Sequence, residues 1–241
     1  EVHSLDIKIE VHPINKIFFQ TDNPNRLIKS MIFKTGYISI QNPTNGFIVN
    51  LLSPKDDEEI LDGCSAPGGK GTLISAMAPK SKITCVDNNH KRLDKLLGAI
   101  KRQGIKNIEV EVKNLETATF RKFNKILLDV PCTGTGVANR RTDLRWNRGE
   151  DDLNKITKIQ YNILVNASKY LKKDGIIIYS TCSIEPEENE RIIEKFLNNH
   201  NFIVEDAGDF VNNNIVKDNA IKLFPGEYNL DGGFAVRLKQ I

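Results

Sequence analysis

The sequence predicts an α/β fold, a mostly parallel sheet with helices on both faces and a small N-terminal α+β appendage. Three observations carry this. From about Glu58, short apolar runs alternate with amphipathic stretches, the rhythm of parallel strands joined by helical crossovers. Several strands end on an acid or a cysteine (Asp62, Asp87, Asp129, and Cys182 after Thr181), at the sheet edge where such folds bind ligands. Residues 1–57 lack the rhythm, so the expected division is a small α+β region at 1–57 and a main domain at 58–241.

Taken in order, "EEILD" (58–62) is a short apolar run ending on an acid, and "GTLISAMA" (71–78) suits a helix. "KITCVD" (82–87) is a second strand. In 90–104, Leu93, Leu96, Leu97 and Ile100 fall on one helical face and Gly104 ends the helix. "IEVEV" (108–112) alternates with period two, and "KILLD" (125–129) is a fourth strand. A helix with Leu153, Ile156, Ile163, Ala167 and Leu171 on one side follows, then a fifth strand at 175–181. Pro186 is expected to open a helix with Glu187 and Glu188 in its first turn, where acids suit the dipole. Its buried face is Ile192, Ile193, Phe196 and Leu197. "FIVED" (202–206) and "GFAVRL" (233–238) read as strands, with 207–231 as a long loop between them.

Composition narrows the class. With 241 residues the chain can bury a core without staples. Its 39% hydrophobic and 27% charged residues are an ordinary globular balance, and a net charge of +3 permits a nucleic-acid partner without demanding one. The apolar runs are too short to span a membrane, and no signal peptide is visible. A start at Glu1 rather than Met is expected of a processed chain or a fragment. Cys64, Cys85, Cys132 and Cys182 form no CxxC pair and His is scarce, so neither zinc nor any other metal is expected. Free thiols in a reducing, cytoplasmic setting follow.

"LDGCSAPGGKGT" (61–72) joins the first strand of the main domain to its first helix, and its glycines allow close backbone approach to a ligand. The phosphate loop GxxxxGK[ST] fails, because Gly69 intrudes before Lys70 and Gly71 follows it. The dinucleotide pattern GxGxxG fails as well. A loop holding the amino-acid end of S-adenosylmethionine remains, beside the plainer reading of a glycine-rich turn without a ligand. Asp87, ending the second strand, is placed for a ribose.

"LDGCSAPGGK", "VD" before "NNHKRL", "LLDVPCTGTG", "RRTDLRW", "YSTCSIEPEENE" and "DGGFAVRL" occur in one order. Together they resemble the Sun (Fmu-type) family of RNA cytosine-5 methyltransferases, over roughly residues 36–241. "SLDIKIE" and the region up to "GYISIQNPT" look most like its bacterial ribosomal-RNA branch, whose members often carry an N-terminal helical RNA-binding domain that this chain would lack. The resemblance implies a Rossmann-like methyltransferase fold with an antiparallel final strand, S-adenosyl-L-methionine as cofactor, and cytosine in RNA as acceptor, ribosomal RNA favoured over transfer RNA. No membrane partner is expected, and a monomer is.

By the same resemblance, Cys64, Ser65, Ala66, Pro67, Gly68, Gly69 and Lys70 would line the methionine end of the cofactor. Asp87 would bind the ribose, with Arg92 nearby. Asn114 stands where an acid near the adenine amine is usual, and its side-chain carbonyl can still accept that hydrogen bond. "QNPTN" (41–45) also departs from the usual Gln-Asp and a later Ser. Both departures bear on affinity rather than on the reaction.

Carbon 5 of cytosine is a poor nucleophile, and adding a thiolate to carbon 6 makes it enamine-like, a case of covalent catalysis. The resemblance assigns the attack to Cys182, product release to Cys132, and holding of the base to Asp129, which also borders the cofactor. A helix beginning near Pro186 is expected to stabilise the Cys182 thiolate. Cys85 reads as a buried small hydrophobe and Cys64 as an unreactive loop residue. In "NRRTDLRWNR" (139–148), Arg140, Arg141 and Arg145 suit phosphates and Trp146 suits stacking on an extruded base. An inactive RNA-binding relative and a nicotinamide oxidoreductase are the alternatives.

Overall fold

The structure, a computed structural model, describes residues 7–137 and 150–241. Its elements run β1 (Ile9–Val11), β2 (Phe19–Thr21), α1 (Pro24–Lys29), α2 (Met31–Lys34), α3 (Pro43–Leu52), β3 (Glu59–Gly63), α4 (Gly69–Met77), β4 (Lys82–Asp87) and α5 (His90–Gln103). Then follow β5 (Ile108–Val112), β6 (Phe123–Asp129), α6 (Glu150–Ser168), β7 (Leu171–Thr181), α7 (Glu190–Leu197), β8 (Phe202–Glu205), β9 (Val216–Lys217), β10 (Ala220–Leu223) and β11 (Gly233–Gln240).

Among the described residues, β1 and β2 form a hairpin and nine strands form the main sheet, in the order β5-β4-β3-β6-β7-β11-β10-β9, with β8 on β11. The five strands β3 to β7 pair in parallel. The final strand β11 runs antiparallel to β7, as expected, and the β8, β9 and β10 pairings are antiparallel too. The strand order reverses between β3 and β6, which opens a crevice outside their carboxyl ends. Register places Gly63 opposite both Val86 and Leu128, and Asp129 opposite Ser180, so the functional strand ends share one row.

Alternating side chains divide the core into two clusters. Ile60, Ile176 and Ile178 face one side with α3, α4 and α5; Leu61, Ile177 and Tyr179 face the other with α6 and α7. In α3, Asn42 caps the N-terminus, Pro43 occupies the first turn, and Phe47, Leu51 and Leu52 are buried against the sheet. Helix α5 is capped by Asn89 and closed by a left-handed Gly104. No helix among the described residues is long and apolar enough to cross a membrane.

Four expectations change. Leu171 belongs to β7, where it pairs with Phe123, while α6 stops at Ser168. Leu97 is 48% exposed, because burying Leu93 and Leu96 uses up the narrow contact face of α5. The helix expected from Pro186 begins at Glu190; residues 185–189 form tight turns that carry Glu188 inward. The long loop 207–231 contains the β9–β10 hairpin, turned by Asp218 and Asn219, both with positive φ.

Candidate active site

The turn from β3 into α4 is built for close approach. Gly68 has φ 102°, and a side chain at Gly71 would meet the Asp62 carboxylate at 2.8 Å and the Cys85 sulfur at 2.7 Å. The loop is held from the next strand: Ala66 N donates to Asp87 Oδ2 at 3.2 Å, and Arg92 Nη2 donates to Ala66 O at 2.8 Å. Asn89 N donates to Asp87 Oδ1 at 3.0 Å, so buried Asp87 fastens two loops with lone pairs to spare.

A cavity of about 480 Å³ lies outside these strand ends, lined among others by Cys64, Ala66, Asp87, Asn114, Asp129 and both Cys132 and Cys182. Its size suits a nucleoside-bearing ligand. Asp87 and Asp129 line it at the ends of their strands, two carboxylates suited to a cationic sulfonium. Asn114 Oδ1 accepts from Glu116 N at 3.0 Å, which leaves one lone pair for a ligand amine. Glu116 lines the same cavity and brings a carboxylate two residues from Asn114. The residues therefore fit S-adenosylmethionine. A second cavity of about 550 Å³, between the N-terminal segment and α4, is apolar and carries no carboxylate, thiol or amine.

At the inner end, Lys70 Nζ lies 2.6 Å from Asp129 Oδ2, and Ser180 Oγ donates to Asp129 Oδ1 at 2.9 Å. Burial alone would lower the Lys70 pKa, but the Asp129 carboxylate carries it above the ordinary value. Cys132 and Cys182 face each other at 2.9 Å between sulfurs. The hydrogen bond from Cys132 holds the Cys182 pKa below that of an ordinary thiol; burial, Asp129 and Glu188 oppose this and Lys70 assists. The same bond, with burial, pushes Cys132 well up, so of the two thiols Cys182 is the readier to ionise. Burial raises the Cys64 and Cys85 thiols.

Sequence reasoning expected a helix N-terminus beside Cys182. Helix α7 instead starts eight residues later, at Glu190, and Cys132 and Lys70 do that work. It also missed the Lys70–Asp129 pair, Glu116, and the inward turn of Glu188; only "PEEN" within the motif marked the last. The strands bring Cys182, Cys132, Asp129, Asp87, Arg92, Asn114, Cys64 and Ala66 to one crevice, with Lys70 on Asp129; Ser65, Pro67, Gly68 and Gly69 belong to the same turn but not to the cavity lining. Arg140, Arg141, Arg145 and Trp146 lie outside the described residues.

A family model described as 16S rRNA methyltransferase RsmB/F matches residues 49–239. The chain belongs to this family. Ribosomal RNA small subunit methyltransferase B of Yersinia pseudotuberculosis is 34% identical over 198 residues, covering 81% of this chain and 46% of that protein. The protein of that name in Yersinia pestis matches to the same extent. The chain thus spans about half the length of the curated relatives it matches. Among solved structures, a methyltransferase homolog protein from Pyrococcus horikoshii superposes with a TM-score of 0.82 at 26% identity, covering 100% of this chain and 80% of that one. NSun6 from Pyrococcus horikoshii, solved with SFG, gives 0.78 at 28% identity, covering 88% and 56%. The fold is the expected Rossmann-like methyltransferase fold, and S-adenosylmethionine is the cofactor of the RsmB/F family.

Proposed function

We propose that this chain transfers a methyl group from S-adenosylmethionine to carbon 5 of a cytosine in RNA, with small-subunit ribosomal RNA preferred, through a covalent bond between Cys182 and the base. One observation carries the reading: an exposed thiol with a depressed pKa faces a second thiol at 2.9 Å, in one cavity with Asp129. The preference for ribosomal RNA rests on the names of the family and of the Yersinia relatives.

When bound, the cofactor supplies a methyl group on a sulfonium. The 64–70 loop would cradle its methionine end, Asp87 with Arg92 its ribose, and Asn114 with Glu116 its adenine. Asp129, ion-paired to Lys70, would accept a hydrogen bond from the exocyclic amine of the base, and would donate to N3 once it carries a proton. The Cys182 sulfur bonds to carbon 6 of the base, and the displaced electron pair makes carbon 5 nucleophilic. Once carbon 5 carries the methyl group, its proton passes to solvent water acting as base; the carbon 5–carbon 6 double bond re-forms from that C–H electron pair and the carbon–sulfur bond breaks, its electrons leaving on the Cys182 sulfur. Cys132, the thiol that keeps its proton, donates S–H to the departing sulfur and so favours release. Arg140, Arg141, Arg145 and Trp146 would contact the RNA.

Two variants test the division of labour. Cys182→Ala is expected to abolish methylation, by about a thousandfold or more. Cys132→Ala is expected to accumulate an RNA–protein adduct that survives denaturing electrophoresis. An adduct with Cys182→Ala instead would reverse the roles. Bisulfite sequencing of ribosomal and transfer RNA, with and without the gene, reads the substrate directly.

A further inference from the structure

We propose that Glu188 is a positioning residue that clamps the Cys132 loop to the Cys182 loop and so sets the distance between the two thiols. This rests on the covalent reading above. Glu188 is fully buried. Its Oε1 accepts from Thr133 N at 2.8 Å and from Gln160 Nε2 at 3.1 Å; its Oε2 accepts from Thr133 Oγ1 at 2.7 Å. Gln160 Nε2 also donates to Pro131 O at 2.9 Å. The residues on both sides of Cys132 are therefore tied, one directly to Glu188 and one through Gln160.

Glu188 itself is anchored beyond Cys182, where its carbonyl accepts from the buried Tyr179 hydroxyl at 2.6 Å. Ser183, next to Cys182, meets Thr133 Oγ1 at 3.2 Å and Thr135 Oγ1 at 3.1 Å. The three groups that bond the Glu188 carboxyl are neutral donors, and none is a cation. Removing a carboxylate from water without a cation is costly. Its charge, moreover, works against thiolate formation at Cys182. Those costs are understandable if the site needs one side chain that engages three partners through two terminal atoms, which fixes the loop more firmly than a single hydroxyl can.

The test reads the spacing itself. Diamide takes up two hydrogens as Cys132 and Cys182 close to a disulfide, and the linked peptides are counted by mass spectrometry. Glu188→Ala is expected to slow this cross-link about tenfold or more, since an ångström of misplacement has effects of that order. Glu188→Gln, which keeps the length and most of the hydrogen bonds, is expected to restore the rate to within about threefold of wild type. With RNA and cofactor, Glu188→Ala is expected to form the adduct but lose it about tenfold more slowly, with S-adenosylhomocysteine affinity unchanged. Unchanged cross-linking in Glu188→Ala, or a Glu188→Gln rate as slow as that of Glu188→Ala, overturns the proposal. Should Glu188→Ala not fold, Thr133→Val removes one donor, and a cross-linking rate equal to wild type then counts against the clamp. A wild-type chain that cross-links readily yet forms no RNA adduct would sink the covalent reading, and the cross-linking rates would still decide the clamp.

Discussion

Asp62 is a fully buried carboxyl whose Oδ1 has no hydrogen-bond partner among the described residues. Burial lifts its pKa from 3.8 to about 7, against the pull of Lys70. The folded protein therefore holds a proton that the unfolded chain gives up. That contribution to stability is fully present below about pH 4 and is lost as pH rises through about 7. Asp62→Asn is expected to flatten this slope and to raise stability at pH 8 by up to about 4 kcal/mol, read from urea titrations at pH 5 and pH 8. Lys70 acts on the neighbouring chemistry. Its charge favours the Cys182 thiolate, so Lys70→Met is expected to raise the Cys182 pKa. The rising limb of the pH–rate profile then moves to higher pH, and the rate at neutral pH falls about a hundredfold. Neither effect is visible in the string "LDGCSAPGGK", because the Asp62 shift comes from burial and Lys70 acts on Cys182 at the end of a distant strand.

Among the loops, Gly136 is the crossing point. Its N–H donates to Cys182 O at 3.0 Å, and its carbonyl accepts from Gly232 N at 2.9 Å. The motifs "PCTGTG", "TCS" and "DGG" are thus joined through one residue. A Cβ there would meet Gly232 O at 2.4 Å and Cys182 O at 2.8 Å, both backbone atoms. Gly136→Ala is expected to cost about 2 kcal/mol in chemical denaturation and to lower methylation about tenfold or more. Its cofactor affinity should hold, since the 64–70 loop lies across the crevice. Strands and most helices were legible because period two and period 3.6 are written locally. The β9–β10 hairpin was not, because its strands have only two and four residues, with Asp218-Asn219 as the sole turn signal.

For the molecule as a whole, Arg237 ties the end of α3 to the C-terminal strands. It lies in β11, is 8% exposed, and donates from Nη1 to Leu51 O at 2.7 Å and from Nε to Glu205 Oε2 at 2.7 Å. It thereby closes the last turn of α3 onto the sheet and pins β8. Arg237→Met is expected to destabilise the fold by about 3 kcal/mol, because it leaves a half-buried Glu205 with only the more distant Lys239 and takes the donor from the carbonyl of Leu51. Thermal unfolding with and without S-adenosylhomocysteine should show the loss in both states, since Arg237 lies away from the crevice. Helix α3, from the stretch without strand–helix rhythm, packs in the same cluster as α4 and α5. Rhythm alone does not reveal that packing.

The sequence by itself determined the strand–helix order, the acids at strand ends, and the motif residues that converge, because periodicity and motif spelling are local properties. Only the tertiary structure decided how these residues act on one another. It set Lys70 against Asp129, lowered one thiol while raising its neighbour, turned Glu188 inward, and moved the helix start away from Cys182. The physical reason is that a pKa and a hydrogen bond depend on groups within a few ångströms. Here those groups come from loops 50 or more residues apart, brought together where the strand order reverses.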